Sequence, residues 1–444
     1  MPGNYYLEID DLHIIVTSWG SSGDTLPPIG IGWELKRRGY PVTFMGNPHF
    51  EPRAAEAGLA FVKIGTLADY EKVMADSGIF DRSKKKPDQL FAEHVLPYLK
   101  TYYEACVERF VPGQTIVLGG GLGPFFAAEK LDIPFVSVAA SPGIINLSSR
   151  YDPLHPERLL PKWAEWFTRS GRQMALLYRL KDLRHGIFSR RQPVYTPVPA
   201  GLLNSHPITS FRKRVGLPKD ISRRPSTICM WPYWFAAPQL DWPSEMTVAG
   251  FPFYPRPDSP AGNSSDHFPE SQNSRPIVFT TGSIASSQAD FFIAAVEACR
   301  ALKRPAILVT PHEDHIPGNL PDYVDYVPFA PFNELFGRAS LVVHHGGIGT
   351  ASYALAAGIP QIVMPMRGDQ FDNGNRLVRL GVARMLAPRQ SSGAKLAQSI
   401  DSMLNSNLVA GRCKHWQSKI DLNAGLEIAA NYIEELAGSS GTRS

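Results

Sequence analysis

Residues 344–373 hold the densest group of side chains and backbone amides that could bind a ligand, in the order HHGGIGTASYALAAGIPQIVMPMRGDQFDN. Glycine fills three of the four positions from Gly346 to Gly349, so little side chain separates the backbone N–H groups from a bound anion. A helix that begins near Thr350 would add the positive end of its dipole at the same place. His344 and His345 stand beside this loop. The pattern predicts a site for a diphosphate.

The same segment ends in polar side chains that suit sugar hydroxyls. The run IPQIVMP predicts a buried strand, and Asp369 and Gln370 follow its carboxyl end. Ligands collect at that edge of open α/β sheets. The loop and the turn together predict a nucleotide-sugar site, whereas a tight strand-to-helix connection that binds nothing is the alternative for the glycines alone.

Alternating strand and helix signals surround this segment and indicate parallel βαβ units. Apolar runs that predict strands occur in two groups, separated by the Pro-, Ser- and Asn-rich residues 252–275. The fold class expected is α/β with two doubly wound, Rossmann-like domains. We assign residues 1–251 to the first domain, 252–275 to an exposed linker, 276–438 to the second domain with its C-terminal helices, and 439–444 to a disordered tail.

Composition supports two domains and excludes several classes of function. A chain of 444 residues with 43% hydrophobic residues exceeds the roughly 250–300 residues at which one core stops growing. The net charge of +4 comes from 45 basic and 41 acidic residues that are dispersed, so no nucleic-acid partner is expected. The four cysteines form no C-x-x-C pair, which fits reduced thiols in the cytoplasm and neither zinc nor disulfides.

Membrane-spanning segments and a signal peptide are not expected either. The N-terminus lacks a basic region before its first apolar run, and no stretch approaches the roughly 20 apolar residues that span a bilayer. The amphipathic segment WAEWFTRSGRQMALLYRL is expected to pack on its own domain or line a pocket. Peripheral contact with a membrane or an acyl chain is the alternative.

The chain resembles the UDP-glycosyltransferase superfamily, glycosyltransferase family 1, which has the GT-B fold. The likeness extends over most of the chain, is strongest from Gly282 to Arg384, and is nearest to the rhamnolipid rhamnosyltransferases and the bacterial antibiotic and sterol glycosyltransferases. It implies an acceptor-binding N-terminal domain and a donor-binding C-terminal domain that face a central cleft. It also implies an enzyme that transfers a hexose from a UDP- or dTDP-linked sugar to an apolar acceptor.

The resemblance assigns one catalytic residue. Many family members place a histidine in a G-H-x-x-P loop after the first strand, and here Asp24 occupies that position within GDTLP. An aspartate is the proposed base in the antibiotic enzymes, and a carboxylate near a helix N-terminus stays ionised and able to accept a proton. Its alternative role is the N-cap of the first helix. Five other histidines are weaker candidates for the base: His13, His49, His94, His155 and His206.

On the donor side the resemblance assigns Phe329 to a stack on the nucleobase, with an ordinary core aromatic as the alternative. It places Gly282 and Ser283 in a loop that closes over the phosphates, or in a simple turn. His344 takes the position of the diphosphate-contacting histidine, with His345 as support. Backbone or hydroxyl donors to the diphosphate would come from Gly346, Gly347, Ile348, Gly349 and Thr350, and contacts to the sugar from Asp369 and Gln370.

Ser352 departs from the family pattern. Plant members carry a glutamate at this position to hold ribose hydroxyls, so its loss leaves a thymidine diphosphate donor as open as a UDP donor. The implied reaction is a direct displacement with inversion that uses no metal and no cofactor. Two alternatives are a nucleotide-sugar epimerase with the same fold and a non-catalytic protein that binds a sugar nucleotide or a lipid. For the acceptor, an apolar pocket is suggested by six aromatic residues: Phe125, Phe126, Tyr151, Trp163, Trp166 and Trp231.

Overall fold

A computed structural model describes residues 12–75, 92–144, 205–219, 221, 225–238, 245–254, 275–282, 289–366, 369–387 and 392–440. These residues form two parallel sheets, each covered by helices on both faces. The predicted fold class, α/β with two Rossmann-like units, is confirmed. The segment WAEWFTRSGRQMALLYRL lies outside the described residues.

The first sheet has seven strands in the described part of the chain, in the order β3-β2-β1-β4-β5-β6-β7. Alternate residues of a strand point to opposite faces. Ile14 and Val16 therefore pack in one core while Ile15 packs in another. Burial on both faces explains why these strands are continuous apolar runs. Their bounds are β1 His13–Thr17, β2 Val42–Gly46, β3 Ala60–Lys63, β4 Thr115–Gly119, β5 Phe135–Ala139, β6 Ser226–Cys229 and β7 Met246–Val248.

The helices of the first unit connect these strands. Helix α1 packs on the face that holds Ile14 and Val16, and helices α4 and α5 pack on the other face. The bounds are α1 Ser22–Arg37, α2 Glu51–Glu56, α3 Leu67–Ala75, α4 Leu96–Val107, α5 Leu122–Leu131 and α6 His206–Arg214, with short 3-10 turns at Pro48–Phe50 and Pro142–Ile144.

The second sheet repeats the same design with the order β10-β9-β8-β11-β12-β13. Its strands are β8 Ile277–Thr280, β9 Ala306–Val309, β10 Val324–Val327, β11 Leu341–His344, β12 Gln361–Val363 and β13 Ala383–Met385. Its helices are α7 Ala289–Leu302, α8 Phe332–Arg338, α9 Ile348–Ala357, α10 Gln370–Leu380, α11 Gly393–Leu404 and α12 Asn407–Gln417, with a 3-10 turn at Glu313–His315.

Each sheet has a point where the strand order reverses, and ligands bind at such points in open α/β sheets. In the first sheet the reversal lies between β1 and β4, where the chain leaves β1 toward Asp24. In the second sheet it lies between β8 and β11, where Gly282 follows β8 and the loop His345–Gly347 follows β11. The predicted base and the predicted phosphate loop therefore occupy equivalent places in the two units.

The last helix corrects the predicted domain assignment. Helix α13, Ala424–Ser440, was expected to join the C-terminal domain, but its apolar face packs in the core of the first sheet through Leu426, Ala430 and Ile433. The Arg38 side chain also donates to Glu434, at 2.7 Å. In the described part of the chain, the last helix covers the apolar face that the first unit presents beside α1.

The predicted exposed linker also begins later than expected. Phe253 is buried and contacts Phe251 and Tyr353, so the described residues 252–254 belong to packed structure, and 255–274 lie outside the described residues. Helix α13 continues to Ser440, so the first two residues of the predicted tail, 439 and 440, belong to the helix. Residues 441–444 lie outside the described residues. All four cysteines are buried free thiols.

Candidate active site

The glycine-rich loop joins strand β11 to the N-terminus of helix α9. Gly346 has φ of +94°, and a Cβ atom there would lie 2.8 Å from the carbonyl oxygen of Gln370. Gly347 is the N-cap, and the first intrahelical bond runs from the amide of Ala351 to its carbonyl. The amides of Ile348, Gly349 and Thr350 precede that bond, so they lie outside the intrahelical ladder at the positive end of the helix.

His344 does not have the role predicted for it. The ring is fully buried, and its Nδ1 accepts a hydrogen bond from the Gly346 amide at 3.1 Å. The ring proton is therefore on Nε2, which donates to Gln361 Oε1 at 3.0 Å. Burial lowers the pKa of His344 to about 4, so the ring is neutral at pH 7. Both nitrogens are used inside the domain, and His344 holds the loop rather than the diphosphate.

His345 lies between the two loops at the reversal point of the second sheet. A Cβ atom on Gly282 would lie 2.6 Å from its ring, and one on Gly347 would lie 2.4 Å from it. Gly282 also has a φ of +76°. The imidazole thus fills the space that these two glycines leave, and the closing of the Gly282 loop over the phosphates stays a prediction. Ser283 lies outside the described residues.

The Asp-Gln turn divides into one residue at the surface and one inside. Asp369 is the N-cap of helix α10 and is partly exposed. Gln370 is buried, and its Oε1 accepts from the Met366 amide at 2.9 Å. Asp369 is therefore the member of the predicted pair that reaches the cleft, while Gln370 Oε1 supports the turn. Gln370 stays a predicted sugar contact.

Phe329 is not a core aromatic. It follows strand β10, is 54% exposed, and presents its ring to Arg53 of helix α2, whose Cζ lies 6.0 Å from the ring centroid. The alternative of an ordinary core aromatic is therefore wrong, and the stack on the nucleobase stays a prediction. Sequence reasoning missed Arg53, because nothing in its local sequence marks a residue that crosses to the other unit.

Asp24 lies at the third position of helix α1, not at the N-cap as the alternative interpretation had it. Ser21 is the N-cap. Asp24 Oδ2 accepts from the Ser21 amide and from the Ser21 hydroxyl, each at 3.0 Å. This capping box fixes an exposed carboxylate at the carboxyl edge of the first sheet.

Tyr70 and His49 line the same edge near Asp24. Their rings stack at 4.0 Å, and burial raises the pKa of Tyr70, with the charge of Asp24 adding to the effect. Burial and the charge of Arg53 lower the pKa of His49. Desolvation also lowers the pKa of His13, whose Nε2 is 2.9 Å from the hydroxyl of Thr43. His155 lies outside the described residues.

The carboxyl edges of the two sheets meet. The loop after β5 contacts the turn before α10: Ser141 Oγ donates to Asn373 Oδ1 at 3.4 Å, and a Cβ atom on Gly143 would lie 3.1 Å from Asp369 Cβ. Arg53 and Phe329 touch at a second point. The base candidate on one unit and the glycine-rich loop on the other therefore follow strands whose carboxyl edges are in contact.

The predicted apolar acceptor pocket needs a correction. Phe125, Phe126 and Trp231 are each at most 1% exposed and belong to the cores, so they cannot line a pocket. Tyr151, Trp163 and Trp166 lie outside the described residues. Trp19, in the loop between β1 and Asp24, is partly exposed and its ring lies 4.4 Å from that of Tyr98.

The described residues contain neither a metal-binding cluster nor a membrane-spanning helix. No three or more His, Cys, Asp or Glu side chains there are grouped in a way that could hold a metal ion. Among the helices of the same residues, none is long and apolar enough to cross a membrane.

Comparisons with known proteins agree with this architecture. The family profile described as erythromycin biosynthesis protein CIII-like, C-terminal domain, matches residues 305–417. The O-mycaminosyltylonolide 6-deoxyallosyltransferase of Streptomyces fradiae is 26% identical over 445 aligned residues, which cover 96% of this chain and 98% of that protein.

Solved structures share the fold over nearly the whole chain. The glycotransferase of kitacinnamycin superposes with a TM-score of 0.69 at 20% identity, covering 95% of this chain and 98% of the other. A spinosyn rhamnosyltransferase complexed with thymidine diphosphate gives 0.62 at 19% identity, covering 95% and 100%. The chain therefore has the GT-B fold and is a glycosyltransferase, similar over nearly its whole length to antibiotic glycosyltransferases of the glycosyltransferase family 1 superfamily.

Proposed function

We propose that this protein is an inverting, metal-independent glycosyltransferase that moves a hexose from a UDP- or dTDP-linked sugar to a hydroxyl of an apolar small molecule. The observation that carries the proposal is the meeting of the two carboxyl edges. The contact joins the edge that carries an exposed aspartate at the reversal point of one sheet to the edge that carries a glycine-rich helix N-terminus on the other.

The donor is assigned to the second unit. The diphosphate accepts hydrogen bonds from the amides of Ile348, Gly349 and Thr350, beside the ring of His345. The nucleobase stacks on Phe329 and the sugar hydroxyls bond Asp369. Ser352 Oγ donates to the Gly349 carbonyl at 2.8 Å and is buried, so it offers no contact to a ribose hydroxyl. A thymidine diphosphate donor suits this site, and the spinosyn relative that holds that nucleotide supports it.

In the proposed reaction Asp24 accepts the proton of the acceptor hydroxyl as its oxygen attacks the anomeric carbon. The bond between that carbon and the diphosphate oxygen breaks, and the nucleoside diphosphate leaves with the bonding electrons. The amides at the start of α9 stabilise the charge that develops on the leaving group. Attack opposite to departure inverts the anomeric centre. Contact between the two edges excludes water that would otherwise hydrolyse the donor.

Support for an apolar acceptor comes from two sources. Trp19 and Tyr98 present aromatic surface in the loop that leads to Asp24. The Streptomyces fradiae relative is named for a glycosylated tylonolide acceptor, so we propose a natural product of that kind. The acceptor hydroxyl must reach Asp24, which limits the site to one exposed hydroxyl on a larger apolar body.

The test is a transfer assay with UDP-glucose and dTDP-glucose against a panel of hydroxylated macrolides, sterols and hydroxy-fatty acids, with and without EDTA. Asp24→Asn should lower kcat by about 10² to 10⁴ and leave the donor Kd within twofold, because it removes the proton acceptor only. Asp290→Asn, a change of another first-turn helical aspartate, is the matched control and should transfer normally. Full activity of Asp24→Asn excludes Asp24 as base, and loss of activity with EDTA excludes the metal-independent reaction.

A further inference from the structure

We propose that the loop Ser141–Gly143 of the N-terminal unit is a positioning element of the donor-sugar site, acting through Asn373 and Asp369. The inference rests on the proposed function, which assigns the sugar to Asp369. It extends that function by making the orientation of the sugar-binding carboxylate depend on contact with the acceptor-binding unit.

Asn373 joins three parts of the molecule with one side chain. It is fully buried, and its Nδ2 donates to the Gly346 carbonyl and to Asp369 Oδ2, each at 3.0 Å. Its Oδ1 accepts from Ser141 of the other unit at 3.4 Å. The two amide protons thus fix the phosphate loop and the sugar carboxylate, and the amide oxygen is held from across the cleft. Truncation of Asn373 would release all three together.

The second unit leaves no room for a side chain at Gly143. Its φ is not in the left-handed region, so the backbone itself accepts a side chain. The three atoms nearest to a Cβ there all belong to the second unit: Asp369 Cβ at 3.1 Å, Asp369 Cα at 3.2 Å and Asp372 Cβ at 3.3 Å. A methyl group at this position would therefore press on the turn that carries Asp369 while leaving the fold of its own unit intact.

The neighbouring charges make this contact selective for Asp369. Asp372 forms a buried pair with Arg376, at 2.9 Å, and Arg376 also donates to the Phe235 carbonyl of the first unit at 3.3 Å. The charge of Asp372 is thereby compensated within the interface. Asp369 is only partly buried. Of these two carboxylates, it is the one that we propose faces the cleft and is oriented by the hydrogen bond from Asn373.

The experiment compares Gly143→Ala and Asn373→Asp with two matched controls in the full chain. Asn405→Asp is a close match, since Asn405 Nδ2 donates to Asp401 Oδ1 four residues earlier, at 2.9 Å, on an exposed helix end. Gly411→Ala adds a methyl group that meets nothing within 4 Å. Calorimetry measures the affinity for dTDP and UDP and for dTDP-glucose and UDP-glucose, and the transfer assay gives kcat and KM separately.

We expect Gly143→Ala to keep the affinity for the free nucleotides within twofold, and both test variants to lose about tenfold or more in kcat, or in the affinity for the nucleotide sugar, because a sub-ångström shift of an orienting group acts at the reacting centre. Asn373→Asp also removes the donor to the Gly346 carbonyl, so its affinity for the free nucleotides should fall as well. The controls should match the wild type. If a folded Gly143→Ala protein loses affinity equally for the nucleotide and the nucleotide sugar, or loses neither affinity nor kcat, the inference is overturned. Transfer by the wild type would uphold the proposed function in that case. A wild type that binds neither ligand would overturn both.

Discussion

Two glycines of the phosphate loop are there for different reasons. Gly346 has a positive φ, and a Cβ atom would collide with the Gln370 carbonyl and with Val363. Gly349 has neither constraint: its φ is ordinary for a helix, and a Cβ atom would meet nothing within 4 Å. Folding therefore requires the first glycine but not the second, and the proposed close approach of a diphosphate would give the second glycine a role.

Gly349→Ala should separate binding from stability. We expect the free energy of unfolding to change by less than about 0.5 kcal/mol, because the methyl group occupies open space on a helix, and the affinity for dTDP or UDP to fall by about tenfold. Gly346→Ala should instead destabilise the protein by about 2 kcal/mol or more through strain and overlap. Urea denaturation and calorimetry measure both quantities, and unchanged nucleotide affinity of Gly349→Ala would remove the loop from the donor site.

The role of His344 shows where sequence reasoning stopped at the level of a residue. The resemblance identified the correct loop, since His344 shapes it through Gly346. The resemblance could not identify Gln361, which lies on the neighbouring strand β12 and accepts a hydrogen bond from His344 Nε2. A histidine that points at a ligand and one that points into the core have the same local sequence, and only tertiary packing separates them.

This burial makes His344 a source of pH-dependent stability. The pKa is about 4 in the folded protein and 6.5 in a solvated chain, so between these values the unfolded state binds more protons. The stabilisation is complete above pH 6.5 and is lost as the pH falls toward 4, by up to about 3 kcal/mol. His344→Asn keeps an acceptor for Gly346 but does not titrate, so its stability should fall less over this range.

Chemical denaturation at pH 7.5, 6, 5 and 4 measures the difference between the two proteins. His13→Asn is the control, since the His13 ring is only partly buried whereas the His344 ring is fully buried. Parallel pH profiles for wild type and His344→Asn would show that His344 is not the titrating group.

At the scale of elements, prediction succeeded where burial was local. Strands β1, β4, β8 and β11 are apolar runs of the kind from which the sequence predicts strands. Strand β13 was missed because it has only three residues, none of them buried. The docking of α13 on the first unit was missed because the sequence pattern of an amphipathic helix predicts an apolar face. The pattern does not indicate which core that face will cover.

The docking of α13 predicts unequal effects for two isoleucines on the same helix. Ile433 is fully buried against the first unit, whereas Ile428 is 38% exposed. Ile433→Ala should destabilise the protein by about 2–4 kcal/mol, and Ile428→Ala by less than about 1 kcal/mol. Denaturation followed by circular dichroism measures both changes. Equal losses would mean that α13 does not pack on the first unit in solution.

At the scale of the molecule, the two units share an apolar core behind the cleft. Phe235, Phe251 and Trp231 of the first unit pack with Ile348, Leu377 and other residues of the second, and Trp234 stacks on Trp416 at 4.9 Å. In the described part of the chain, helix α13 also packs on the first unit, and the contacts at the carboxyl edges add to this shared core. Such an interface resembles a domain core more than a transient contact, so we expect both units to unfold in one transition.

Phe235→Ala should break this coupling. The ring is 4% exposed in the shared core, and its loss removes about 3–5 kcal/mol from the interface. Differential scanning calorimetry should then resolve two unfolding transitions. Addition of dTDP or UDP should raise the temperature of the second unit's transition only, since a ligand stabilises the part that binds it. Tyr233→Ala, at a 61% exposed position two residues earlier, is the control and should retain a single transition. One transition in the Phe235→Ala protein, raised as a whole by nucleotide, would place the coupling between the units in helix α13 instead of in the shared core.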